Sequence, residues 1–322
     1  MKFEGQAPSH QAFPIRAFGW TVLGAGLMLL LARFDYAFTL FLRENRWRAL
    51  KDILGRSLFE GEGLGGGDPV VFFLIGMTLL YYLSWRPPGR VFILRWRPQL
   101  GFGVSSAVIC GIYLVHGLKW IMGRARPYEV IKNDLPYTAW YAFGPHFVTD
   151  GVYHGSFPSG HTIQVFLLFS VAYMLAGDRR NAPRLRLAGR LWGAVSLAYA
   201  LVMGAGRCMS LSHWVSDVVG GILLAWLVMH FLYYRVLNVP GQSAYFEQYG
   251  RHRNAPAVWE LRLCCWLLPW TLSFMAVAFG TRAIWHPDAR LPVLLIPAGL
   301  GLGIFTQFRV RALLKRVHCD RG

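Results

Sequence analysis

The sequence predicts an all-α, polytopic membrane protein with a six-helix core and about two further transmembrane helices at its C-terminal end. Three observations carry that prediction. Hydrophobic residues make up 55% of the 322 positions and charged residues 15%, well below the roughly 25% charged usual in soluble domains. At least eight apolar stretches approach the roughly 20 residues that cross a bilayer as a helix. Basic residues gather on alternate connecting segments, most clearly Arg179, Arg180, Arg184, Arg186 and Arg190 between residues 178 and 190. That pattern is the positive-inside bias of membrane topology. It also accounts for the net charge of +17 without nucleic acid as a partner, since no basic stretch belongs to a soluble domain.

The expected spans are 17–34, 68–85, 98–120, 160–177, 189–206, 214–235, 262–280 and 291–308. The first is too long for the apolar region of a signal peptide and has no small-residue cleavage site, so it is expected to stay as a membrane helix. Residues 39–58 place Leu40, Trp47, Leu50, Leu54 and Leu58 on one helical face with Arg43, Arg46, Lys51 and Arg56 beside them. That is the pattern of an amphipathic helix lying in the interface. The glycine run 61–69 lacks the G-K-[ST] ending of a phosphate-cradling loop. It reads as a turn into the second span, with Asp68 as N-cap and Pro69 at the first helical position. Residues 86–98 and 238–261 read as inside connectors and 123–159 as the longest outside loop. The Gly220–Gly221 pair reads as a site of close helix packing. Cys110, Cys208, Cys264, Cys265 and Cys319 form neither a metal pattern nor a disulfide framework.

Three short segments hold polar residues at membrane-helix ends, where ionisable groups are costly and tend to be functional. They are Lys119–Pro127 (KWIMGRARP), Pro158–His161 (PSGH) and Gly206–Asp217 (GRCMSLSHWVSD). The expected topology puts all three on one side of the membrane. Arg126 and Arg207 offer forked donors for phosphate oxygens and Lys119 a point charge. Ser159 and the N–H of Gly160 sit at a helix start, which favours anions. His213 and Asp217, four apart, share a helical face, and an acid holding one ring nitrogen leaves the other free to attack. His161 is placed to give a proton to a departing alkoxide. Arg124 and the other histidines are expected to play lesser parts. Arg124 reads mainly as a side chain snorkelling to the interface. His116, His230 and His286 read as structural, and His146 and His154 as residues near a pocket mouth. Tyr128, Trp140, Tyr141 and Tyr153 read as interface anchors or the lining of a lipid entry.

The three segments resemble the type 2 phosphatidic acid phosphatase (PAP2) family, which shares its site with vanadium haloperoxidases. The family pattern is K-x6-R-P, then P-S-G-H, then S-R-x5-H-x3-D. It falls here on Lys119, Arg126 and Pro127, on Pro158 to His161, and on Arg207, His213 and Asp217. Every spacing agrees, and Gly206 stands where the family usually has serine. The resemblance covers about 98–237. It implies a PAP2-like core over residues 1–237, with 238–322 as a connector and two additional helices. It further implies a phosphohistidine on His213, proton transfer by His161, and neither metal nor cofactor.

The expected function is hydrolysis of a phosphate or pyrophosphate head group on a membrane lipid of the phosphatidate, phosphatidylglycerophosphate, undecaprenyl pyrophosphate or lipid A type. A lipid-to-lipid phosphotransferase would use the same residues. A transporter is the alternative of another class; the gathering of charges at one face and the absence of paired broken helices count against it. The expected location is a bacterial cytoplasmic (inner) membrane, with the site facing the periplasm or exterior.

Overall fold

The computed structural model describes residues 15–55, 64–86, 91–147, 155–250, 256–285 and 291–318. The expectations placed on Tyr153, His154, His286, Cys319 and residues 56–58 and 61–63 lie outside these. The elements in order are α1 (Ile15–Glu44), α2 (Arg48–Gly55), α3 (Asp68–Leu83), α4 (Val91–Arg95) and α5 (Arg97–Ser106). A π-helical stretch, Ala107–Leu114, joins α5 to α6 (Val115–Met122). Then come α7 (Pro127–Lys132), α8 (Gly160–Phe166), α9 (Phe169–Ala176), α10 (Pro183–Met209) and α11 (Val215–Phe231), which runs on through a π turn at Leu232–Val236. α12 (Val239–Tyr249), α13 (Trp259–Ile284), a 3-10 turn at Leu291–Leu294 and α14 (Leu295–His318) complete the chain. No strand occurs among the described residues.

Each of the eight expected spans is helical. Six helices are long and apolar enough to cross a membrane, and the chain is an integral membrane protein. α3 is shorter, and so is the pair α8 and α9, which together run from Gly160 to Ala176. At 1.5 Å per residue, the 16 residues of α3 reach about 24 Å, close to the hydrocarbon thickness of a thinned bilayer.

Two expectations shift. The amphipathic helix starts later than residue 39, because α1 continues unbroken to Glu44 and α2 begins at Arg48. Asp68 is the first residue of α3 and not its cap, which is Gly67. The Asp68 carboxylate instead accepts the Gly65 N–H at 2.8 Å and closes the turn.

α1 packs on α11 and α10, and α10 packs on α8 and α9. The core runs through Met28, Phe157, Ile163, Met203, Val218 and Ala225. Gly220 sits where a Cβ would meet the Phe157 ring at 2.7 Å and Met28 Cε at 2.9 Å. The expected close packing at this pair is present, with α1 and the segment before α8 as the neighbours. α13 packs on α5, the π stretch and α6, and α14 packs on α13. The start of α13 is tied in by Glu260, buried, whose carboxylate accepts the Tyr81 hydroxyl at 2.5 Å.

Candidate active site

The three segments meet through their backbones. The Ser156 N–H donates to the Arg124 carbonyl at 2.8 Å, Ser159 N–H to the Asp217 carbonyl at 3.1 Å, and Tyr128 N–H to the Leu211 carbonyl at 3.1 Å. Trp214 Nε1 donates to the Ala125 carbonyl at 2.8 Å. Each segment is therefore bonded to the other two, directly or through a residue that flanks it. Leu211 turns the chain between α10 and α11 with φ 58°, in the left-handed region. Ser212 N–H and His213 N–H fold back onto the Arg207 carbonyl at 3.0 and 3.3 Å. Arg207 and His213 are thus held close enough to interact electrostatically although they flank a turn.

His213 is buried. Its Nδ1 stands 3.5 Å from Asp217 Oδ2, longer than a formed hydrogen bond and typical of a catalytic pair before substrate tightens it. Lys119 and Arg207 act electrostatically on His213. Arg207, His213, Lys119 and Arg126 do the same to His161. The start of α8 lies beside Lys119: a Cβ on Gly160 would be 3.9 Å from Lys119 Nζ. Ser159 caps α8 without a side-chain cap bond, and its Oγ accepts the Thr162 hydroxyl at 2.9 Å. All eight residues singled out in the sequence, Lys119, Arg126, Ser159, Gly160, His161, Arg207, His213 and Asp217, belong to this one region.

Burial pushes the His213 imidazole down to about 3, against a partial pull upward from the neighbouring Asp217 carboxylate. At neutral pH the ring is neutral, the form a nucleophilic imidazole requires.

Behind Asp217 lies an ion-pair network. Arg124 is fully buried, which corrects its reading as a snorkelling side chain. Its Nη1 donates to Asp217 Oδ1 at 2.7 Å and to Ser216 Oγ at 2.7 Å, its Nη2 to Asp35 Oδ2 at 2.8 Å, and its Nε to the Thr138 carbonyl at 2.8 Å. The guanidinium lies over the rings of Trp214 and Tyr137, 5.4 and 5.7 Å from their centroids. Asp35, from the middle of α1, also accepts the Ser216 N–H at 2.9 Å and the Ser216 hydroxyl. Asp217 Oδ2 takes the Trp214 N–H at 2.9 Å. Two buried carboxylates share one buried guanidinium with their oxygens hydrogen-bonded, the condition under which buried charge is tolerated.

The family model described as the PAP2 superfamily matches residues 100–240. Residues 100–240 are a PAP2 superfamily domain. No curated protein and no solved structure matches the chain. The PAP2 match supports phosphatase activity on phosphorylated substrates in general, and the apolar helices support a bilayer setting. Asp35, which the sequence motifs do not mark, lies outside the matched residues 100–240, so its hold on Arg124 comes from beyond the family match.

The departure of Gly206 from the PAP2 pattern has a physical cause. A Cβ at Gly206 would lie 2.9 Å from Leu54 Cδ1 and 3.0 Å from Leu54 Cβ. Leu54, from α2, fills the space a serine side chain would take. It is gripped from the other side by Gly66, whose Cβ would stand 2.7 Å from Leu54 Cδ2. α2 therefore touches α10 one residue from Arg207.

Proposed function

We propose that the protein is a lipid phosphatase working through a phosphohistidine. Lys119, Arg126, Arg207, the Ser159 hydroxyl and the Gly160 N–H hold the phosphate oxygens. Nε2 of His213 attacks phosphorus while the bond to the lipid oxygen breaks. His161, in its protonated form with substrate bound, gives its proton to that oxygen. Asp217 holds Nδ1–H and stabilises the ring as it gains charge. Water then attacks the phosphohistidine and loses its proton to His161; inorganic phosphate leaves and His213 is restored. The three basic side chains do the charge work that a cation would do elsewhere, so the reaction needs no metal.

One observation carries this reading: His213 is buried beside Asp217, within electrostatic reach of His161, Lys119 and Arg207. The substrate is a lipid with a phosphate or pyrophosphate head group, of the phosphatidate, phosphatidylglycerophosphate, undecaprenyl pyrophosphate or lipid A type. The site opens on the non-cytoplasmic face, in the manner of a bacterial inner-membrane enzyme, and the lipid tails stay in the bilayer.

The test is phosphate release by detergent-purified protein from these four lipids in EDTA. Labelled inorganic phosphate should appear, orthovanadate should inhibit, and His213→Ala should remove turnover and protein labelling together. His161→Ala should slow turnover with binding largely kept. Activity of His213→Ala above about a thousandth of wild type would sink the nucleophile assignment. Label on a second lipid would mean a phosphotransferase, and activity returning only with added magnesium would overturn the metal-free mechanism.

A further inference from the structure

The C-terminal hairpin of α13 and α14 lies outside the PAP2 match, yet one of its side chains reaches the site face. Arg282, in the last turn of α13, donates from Nη1 to the Ile121 carbonyl at 2.6 Å and from Nη2 to the carbonyls of Gly144 and His146 at 3.0 and 3.1 Å. Its guanidinium lies over Phe143 and Phe147, 4.8 and 5.0 Å from the ring centroids. Ile121, Phe147, Met275, Phe279 and Ala283 form an apolar seam beneath it. One arginine thus joins the end of α6 to residues 143–147, the outer segment lying against it.

That segment leads to the phosphate cradle. Gly144 N–H donates to the Met122 carbonyl at 2.7 Å and His146 N–H to the Gly123 carbonyl at 3.0 Å. The approach is so close that a Cβ on Gly123 would fall 1.9 Å from the His146 carbonyl oxygen. His146 Nε2 lies 3.2 Å from Glu129 Oε2, and the same oxygen accepts the Arg126 N–H at 2.7 Å. The path runs from α13 through a clamped loop, an imidazole and a carboxylate to the backbone of Arg126.

We infer that the C-terminal hairpin is a working part of the phosphate site, and that Arg282 is a positioning residue that sets Arg126 through His146 and Glu129. This rests on the phosphatase reading, in which Arg126 holds phosphate. The guanidinium suits the task because its rigid planar fork reaches carbonyls on two segments while lying over Phe143 and Phe147. Arg282 touches no substrate and acts on affinity for the tetrahedral or bipyramidal oxyanion.

The experiment measures orthovanadate affinity by thermal shift on full-length, detergent-purified protein, with KM and kcat on the best lipid. Arg282→Ala should weaken orthovanadate and raise KM by about tenfold, with kcat changed much less. Arg282→Lys should fall between, and keeps the test valid if the alanine variant folds poorly. His146→Ala should weaken binding similarly, and the double variant should be no weaker than the worse single one, because both break one path. Arg309→Ala is the control on the same hairpin; Arg309 lies over Trp266 and Phe305 and its loss should leave affinity unchanged. Wild-type orthovanadate affinity in Arg282→Ala, with only a lower melting temperature, overturns the inference and leaves the phosphatase reading standing. Equal weakening by Arg309→Ala also overturns it, since docking of the hairpin in general would then be the cause. A wild-type protein that binds no orthovanadate and releases no phosphate removes the phosphatase reading and this inference with it.

Discussion

Asp217 has two oxygens and two tasks. Oδ2 faces His213 and the Trp214 N–H, and Oδ1 is held by Arg124. Removing Arg124 would leave two buried carboxylates uncompensated, a cost of about 3–5 kcal/mol, and Arg124→Ala should fold poorly. Asp35→Asn is the better probe. It keeps the shape, leaves Arg124 paired to Asp217 alone, and frees the guanidinium to drift. Turnover should fall about ten- to a hundredfold with KM nearly unchanged, as when an outer orienting partner is lost. A rise in KM with kcat intact would show that Asp35 acts on binding instead. The buried imidazole of His213 predicts a pH effect on stability. Its folded value, about 3, lies below the ordinary 6.5, so the unfolded chain takes up the proton first as pH falls. This contribution is complete above about pH 6.5 and is lost as pH drops toward 3. The melting temperature of the wild type should fall more steeply from pH 7 to 5 than that of His213→Gln; equal slopes would refute the assignment.

At the scale of elements, α2 and α10 are fitted to each other at Leu54 and Gly206. Gly206→Ser restores the PAP2 residue but forces its side chain into Leu54, and overpacking of this kind costs about 1–3 kcal/mol. The single change should lower the melting temperature, and Leu54→Ala added to it should recover much of the loss, whereas Leu54→Ala alone destabilises. Simple addition of the two effects would show that the residues do not share the space. The same pair shows what the sequence discloses. The eight apolar runs are legible because a bilayer requires unbroken apolar length, and the pocket residues are legible because their spacings repeat a known pattern. The reason for Gly206 is not, since it depends on a side chain that arrives from 152 positions earlier in the chain. Asp35 is not legible from the expected first span, which ends at residue 34, whereas α1 carries the acid well inside a helix ending at Glu44. An acid within an apolar helix demands a partner, and that signal would have pointed to it once the helix was extended. Arg124 and Arg282 bear no pattern of their own; their roles lie wholly in tertiary contacts.

At the scale of the molecule, the site gathers helix ends that alternate along the chain. α6 ends there, α8 begins there, α10 ends and α11 begins there, and α13 delivers Arg282 to the same face. α8 and α9 lead away from the site and α10 returns to it, so the turn between α9 and α10 belongs to the opposite face. That turn holds Arg179 and Arg180 and leads into Arg184, Arg186 and Arg190 at the start of α10. Positively charged connectors of this kind favour the cytoplasmic side, and the proposed orientation accordingly puts the pocket on the other. Tyr141 and Ala182 are both exposed and mark the two faces. In a background with the native cysteines replaced, Tyr141→Cys should react with a membrane-impermeant thiol reagent in intact cells, and Ala182→Cys should react only after the cells are opened. The opposite labelling would turn the pocket toward the cytoplasm, and a lipid of the inner leaflet would then be the substrate to supply in the phosphate-release assay.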